Sequence, residues 1–104
     1  MVLVLLAGCG RGLAVRDSGA FQTAPPELKA QWETGLAAAK TNGYLVAYTT
    51  LDALRSQTNL DAAQAKAVEE LIGIVGTRMF NAANAGDPEA TKALKEVQSR
   101  AKRH

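Results

Sequence analysis

The amino-acid sequence predicts an all-α protein of two stacked αα-hairpins, which makes four helices. Alanine, the strongest helix former, is the most frequent of the 104 residues, and 47% of the chain is hydrophobic. Large apolar residues recur at spacings of three and four, which is the repeat of one helix face. No segment alternates apolar and polar residues for long enough to form a strand, so we expect no sheet.

The first predicted hairpin joins two helices by a three-residue turn. Its first helix covers about Pro26–Lys40, because proline is tolerated in a first helical turn and an apolar stripe follows it. Thr41-Asn42-Gly43 ends this helix, and we expect Gly43 to take the left-handed conformation of a C-cap. The second helix covers about Tyr44–Ser56. The inward-facing residues are Leu28, Trp32, Leu36, Ala39, Ala47 or Tyr48, Leu51 and Leu54.

The second predicted hairpin opens with the longest and most buried helix. This helix begins at about Leu60, with Asn59 or Thr58 as its N-cap. Gly73 and Gly76 within it either allow a neighbouring helix to approach closely or mark a bend. The predicted stripe consists of Leu60, Ala63, Ala67, Leu71, Val75 and Met79, widened by Val68, Ile72, Ile74 and Phe80.

The fourth predicted helix has the clearest start signal in the chain. Asn84-Ala85-Gly86 ends the long helix, and Asp87 and Pro88 follow as N-cap and first helical residue. The inward face of this helix is predicted to consist of Ala90, Leu94, Val97 and Ala101.

The two hairpins are related by an internal repeat. Shifting the sequence by 43 residues places Leu28 on Leu71 and Gly43 on Gly86. One αα-hairpin does not bury its own apolar face, so the repeat predicts that the two hairpins stack on one another.

The turn of the first hairpin resembles part of a known repeat family. Asn42-Gly43-Tyr44, followed by Ala47 and Leu51, resembles the turn and second helix of tetratricopeptide repeats. The period of 43 differs from the family's period of about 34 residues. The resemblance implies a tetratricopeptide-like interaction module, and it assigns no binding residues.

The first residues indicate export from the cytosol. Met1–Ala7 is apolar without interruption, and with Gly8 and Cys9 the run is about half as long as a membrane span. Such a stretch, ending in small residues, is typical of a secretory signal. Leu6-Ala7-Gly8-Cys9 resembles the lipobox of bacterial lipoprotein signal peptides. The resemblance implies that residues 1–8 are the remnant of a signal peptide and that the Cys9 thiol carries a diacylglycerol membrane anchor.

The lipobox resemblance predicts a place in the cell envelope. Gly10, rather than Asp, follows Cys9, which implies an outer-membrane lipoprotein that faces the periplasm. Residues 9–24 lack periodicity and are expected to form a flexible tether to a helical domain at residues 25–104. The first basic residue, Arg11, follows Cys9, whereas signal peptides have one before the apolar run. Either the start of the protein lies further upstream, or the lipobox is a coincidence and the protein is a cytosolic helical adaptor or oligomerisation domain.

The chain offers few side chains for catalysis or metal binding. Its one Cys and one His, Cys9 and His104, lie near opposite ends of the sequence, so neither a zinc site nor a Cys–His nucleophilic pair is predicted. Glu69 and Glu70 are adjacent, so on a helix they point about 100° apart, and Lys66 is spaced to pair with either. We therefore expect a non-enzymatic protein with no cofactor and no metal.

The charge and the aromatic residues indicate which partners to expect. A net charge of +2 is too small for a dedicated nucleic-acid binder, so no nucleic acid is expected. The basic residues of 100–104 either complement the helix dipole or contact an anionic surface such as lipid headgroups. Trp32 is expected in the core, whereas Tyr44 and Tyr48 are the candidate surface for an unknown protein partner. A homodimer is a further alternative, because a small domain buries a modest fraction of its surface.

Overall fold

The computed structural model of the protein describes Val15, Asp17 and residues 19–103. These residues form four α-helices and no strand: α1 (Pro26–Lys40), α2 (Tyr44–Arg55), α3 (Ala62–Asn84) and α4 (Pro88–Arg103). The prediction of an all-α fold with four helices is confirmed. The predicted signal remnant at 1–8, Cys9, His104 and part of the predicted tether, namely residues 10–14, Arg16 and Ser18, lie outside the described residues.

Helices α2 and α3 are the centre of the bundle. α1 packs against α2, α2 against α3 and α3 against α4, and α4 also contacts α2. Within the described part of the chain, α1 and α4 flank the centre without touching each other. The hairpins α1–α2 and α3–α4 therefore meet mainly through α2, where Leu51 and Leu54 are fully buried.

Two long-range hydrogen bonds define the ends of the bundle. At the end that holds both hairpin turns, the turn end, the Arg78 guanidinium of α3 donates to the Ala39 carbonyl of α1 over 3.4 Å. At the opposite end, the base, the Gln64 side-chain amide of α3 donates to the Ala20 carbonyl over 3.3 Å. Helix α4 leaves the turn end antiparallel to α3 and thus runs back towards the base.

The turn between α1 and α2 places an asparagine in the left-handed conformation. Asn42 has φ 61°, and the Gly43 N–H donates to the Ala38 carbonyl over 2.8 Å. Gly43 itself has φ −80°, so the prediction that it takes the left-handed conformation is wrong. Asparagine tolerates this conformation better than most residues, which lets the cap form one position earlier.

The turn between α3 and α4 repeats this cap. Gly86 has φ 97°, and the Asp87 N–H donates to the Ala82 carbonyl over 3.0 Å. The left-handed residues of the two turns are thus 44 positions apart, one more than the predicted repeat. Ala47 and Ala90, which are both fully buried, keep the spacing of 43. Leu94 and Val97, which the repeat aligns with the fully buried Leu51 and Leu54, are only half-buried, and Ala101 is exposed. The repeat therefore holds at Ala47 and Ala90 but neither along the rest of the predicted inward face of α4 nor in the backbone of the turns.

A capping box starts α3. The Asp61 carboxylate accepts from the Gln64 N–H over 2.8 Å, and the Gln64 side-chain oxygen accepts from the Asp61 N–H over 3.0 Å. The prediction of Asn59 or Thr58 as N-cap is therefore wrong by at least two residues. Asp87 caps α4 as predicted, since its carboxylate accepts from the Glu89 N–H over 3.0 Å.

The buried face of α3 is narrower than predicted. Ala63 is exposed and Phe80 is 53% exposed, so these two predicted core residues are wrong. Gly73 and Gly76 have open space where a side chain would lie, so no helix approaches them closely. The close approach is instead at Gly35 of α1, which packs against α2.

Residues ahead of α1 pack against the helices. Phe21 is 1% exposed and stacks on Trp32, with ring centroids 4.8 Å apart. The Asp17 carboxylate accepts from the Trp32 indole N–H over 3.2 Å and from the Gly19 N–H over 2.9 Å. Val15 also packs against the core. We call Val15, Asp17 and residues 19–24 the docked segment. The prediction of a flexible tether is wrong for residues 19–24, because Phe21 anchors them to the core. A single aromatic residue gives no periodic pattern in the sequence, so this contact was not predicted.

Candidate functional site

A cleft lies at the turn end, between the start of α2 and the first half of α4. Its volume is about 360 Å³. Tyr44, Leu45 and Val46 line it from α2, and Ala93 lines it from α4. A space of this size accommodates one or two large apolar side chains, at the lower end of the range for ligand pockets.

The apolar residues of the cleft are exposed because of their position on α2. Ala47, Leu51 and Leu54 form the buried face of this helix. Leu45 and Val46 precede that face and point away from it, so that 37% of Leu45 and 54% of Val46 remain exposed. They are two of the three large hydrophobic residues that the described part of the chain leaves exposed. Paired exposed apolar residues beside a concave surface are typical of a contact site.

The charged rim of the cleft comes from α4. Glu89, Lys92 and Glu96 follow one another at spacings of three and four, so their signs alternate along one edge. Glu96 also pairs with Arg100, with 3.3 Å between the side-chain nitrogen and oxygen. The rim therefore has little net charge and offers both hydrogen-bond donors and acceptors.

The two tyrosines predicted as a partner surface are placed differently. Tyr44 lines the cleft, whereas Tyr48 is partly buried and packs against the hydrophobic core. Trp32 lies in the core as predicted. Leu45 and Val46 were not predicted as site residues, although both are large apolar residues outside the predicted stripe of α2. Two adjacent large apolar residues outside the predicted buried stripe were the sequence signal for an exposed apolar pair.

Ion pairs at the base connect α2 to α3. Arg55 forms an ion pair with Asp52 and lies 3.7 Å from the Glu69 carboxylate. Partial burial lowers the pKa of Arg55, but the hydrogen bond and negative charge of Asp52, together with Glu69, raise it by more. Arg55 therefore keeps its charge. These side chains are largely exposed, so the pairs stabilise the hairpin contact only weakly.

The described residues contain neither a metal-binding cluster nor a membrane span. No three carboxylate, His or Cys side chains among them lie close enough to hold an ion. None of the helices is both long enough and apolar enough to cross a bilayer. Glu69 and Glu70 are exposed on α3, and the predicted lipidation site, Cys9, lies outside the part of the chain that the structure describes.

Comparison of the chain with protein-family models, with curated proteins and with solved structures finds no match.

Proposed function

We propose that the protein is a lipid-anchored bacterial envelope protein whose helical domain is a non-enzymatic interaction module. The observation that carries this proposal is Leu6-Ala7-Gly8-Cys9 at the end of an apolar run. Acylation of the Cys9 thiol would supply the membrane anchor, and the helical domain would face the periplasm from the outer membrane.

The short distance in sequence between anchor and domain supports this proposal. Five residues, Gly10–Ala14, separate Cys9 from Val15 of the docked segment. Fully extended, the six residue steps from Cys9 to Val15 span at most about 22 Å. The helical domain would therefore stay within that distance of the lipid headgroups at Val15.

The cleft supports a protein segment as the partner. Its apolar lining of Tyr44, Leu45, Val46 and Ala93 suits one or two apolar side chains. The alternating charges of its rim suit a peptide segment that offers both hydrogen-bond donors and acceptors better than they suit a strongly anionic ligand. We assign the cleft to an apolar side chain of a protein partner, flanked by polar residues of that partner.

A tetratricopeptide-like arrangement of the two hairpins belongs to the same proposal. Ala47 and Ala90 occupy equivalent buried positions in the second helices of the two hairpins. Stacked αα-hairpins present grooves between their helices, and such grooves serve as peptide-binding surfaces.

The first experiment is the intact mass of the protein from membrane and soluble fractions of its own cell. We expect a chain that begins at Cys9, heavier by its acyl groups, in the membrane fraction. The Cys9→Ser variant should move to the soluble fraction. A soluble chain that retains Met1 and a free thiol would overturn the proposal and favour a cytosolic helical adaptor.

A second experiment tests the cleft in the cell. A photo-crosslinking residue at Val46 should give one discrete adduct with another protein, and Leu45→Asp in the same chain should abolish it. The same crosslinker at Lys66, which is exposed on α3 outside the cleft, is the matched control. Identical adducts at both positions would contradict a binding cleft, and an adduct of two copies of this chain would identify a homodimer instead.

A further inference from the structure

Helix α4 carries the net positive charge of the protein. Pro88–Arg103 contains five basic and two acidic residues, a net charge of +3. Since the whole chain has a net charge of +2, the remainder carries −1. The positive charge is therefore concentrated on one of the two outer helices of the bundle.

Three lysines of α4 share one side of the helix. Lys92, Lys95 and Lys102 are separated by three and seven residues, which places them along one face over about 15 Å. All three are exposed, whereas Ala90 and Ala93 face the core. We call these three lysines the lysine face.

The lysine face holds no carboxylate between Lys95 and Lys102, whereas Lys92 lies between Glu89 and Glu96. Gln98 and Ser99, both uncharged, lie between Lys95 and Lys102 along a shallow depression. The nearest acid on the carboxyl-terminal half of α4 is Glu96, which pairs with Arg100. Lys95 and Lys102 are thus separated from the acidic side chains of their own helix, and Lys92 extends the face to the rim of the cleft.

The proposed anchor would keep the bilayer close to the bundle. α4 runs back from the turn end to the base, where the docked segment leads into α1. Its 16 residues extend over about 24 Å. A bilayer that held Cys9 would stay within about 22 Å of Val15, so rotation of the domain about this short link would bring the outer face of α4 to the lipid.

We propose that the lysine face binds the anionic headgroups of a lipid bilayer and holds α4 along the membrane surface. This inference rests on the proposed function for its place in the cell, although its chemistry is independent of acylation. Each lysine near an anionic surface strengthens membrane partitioning by roughly fivefold. Three lysines bind weakly and reversibly alone, and a lipid anchor makes such a contact persistent by holding the two surfaces together.

The experiment measures how residues 9–104 carrying Cys9→Ser, which lack both the acyl anchor and the apolar run of Met1–Ala7, sediment with lipid vesicles. The vesicles contain phosphatidylcholine alone or phosphatidylcholine with phosphatidylglycerol. We expect binding only to the anionic vesicles, weakened by salt. The variant K92Q/K95Q/K102Q should partition about a hundredfold more weakly. The control variant K29Q/K40Q/K66Q removes three exposed lysines of α1 and α3 with the same change in net charge, and should lose much less.

Three outcomes would overturn the inference. The first is equal binding to both vesicle types, and the second is equal losses in the two triple variants. The third is that K92Q/K95Q/K102Q loses binding to a DNA duplex but still binds anionic vesicles, which would assign the face to a nucleic acid. Circular dichroism of each variant checks that the helices are retained. Since the chain used is unacylated, failure here leaves the mass measurement of Cys9 as a separate test of the proposed function.

Discussion

Gly35 sets the distance between α1 and α2. A Cβ atom at this position would lie 2.8 Å from Cδ2 and 3.0 Å from Cγ of Leu51, which is fully buried. Leu51 has little room to move, because it is enclosed by the core. The absence of a side chain at residue 35 is therefore a packing requirement, although glycine inside a helix is intrinsically unfavourable.

Gly35→Ala is expected to destabilise the protein by about 1–2 kcal/mol, since the overpacking cost exceeds the gain in helix propensity. Gly73→Ala is the matched control, because that glycine is exposed on α3 with open space around it. It should stabilise the protein by up to about 1 kcal/mol. Urea denaturation followed by circular dichroism measures both. Equal stabilisation by the two variants would mean that Leu51 repacks without cost.

At the scale of elements, the docked segment joins α1 and α3. Gln64 takes part in the capping box of α3 with its side-chain oxygen and holds the Ala20 carbonyl with its side-chain nitrogen. Phe21 adds apolar burial against Trp32 of α1. One short segment without secondary structure of its own thus fixes the base of the bundle.

Phe21→Ala should lower the free energy of unfolding by about 3–5 kcal/mol, because it empties a buried aromatic site. The second phenylalanine of the chain supplies the control. Phe80 is 53% exposed on α3, so Phe80→Ala should change stability by no more than about 0.5 kcal/mol. Thermal unfolding of both variants gives the comparison. A loss for Phe21→Ala as small as that for Phe80→Ala would show that the docked segment contributes little.

The four helices could be predicted from the sequence, whereas the docked segment and part of the cleft lining could not. All four helices were predictable because their apolar residues recur with the helical period, and Asp87-Pro88 marks a start that the structure confirms. The docked segment was missed because Phe21 has no periodic neighbours. Leu45 and Val46 were missed because periodicity locates the buried face of α2 and ignores apolar residues beside it. Tyr44 was placed at a surface from its position after a turn, and it lines the cleft.

At the scale of the whole molecule, the two hairpins depend on each other. Leu51 and Leu54 of the first hairpin and Val68 of the second are all completely buried in one core cluster. Burial of this kind is shared between neighbouring hairpins, as in helical repeat proteins, where a single unit is too small to fold.

A chain restricted to residues 9–57, which holds only the first hairpin, should therefore be largely unfolded. The chain from residue 9 to residue 104 serves as the reference and should unfold in one cooperative transition. Circular dichroism and amide hydrogen exchange distinguish the two. Cooperative unfolding and protected amides in the short chain would show that the hairpins are independent units.

The stacking of Phe21 on Trp32 also makes the tryptophan fluorescence sensitive to the attachment of the docked segment. Trp32 is the one tryptophan of the chain, and its indole contacts both Phe21 and Asp17 of the docked segment. Its intrinsic fluorescence therefore follows the attachment of that segment, whereas far-ultraviolet circular dichroism follows the helices. A fluorescence transition that precedes the dichroism transition would reveal a state in which the amino-terminal residues have detached while the four helices remain folded.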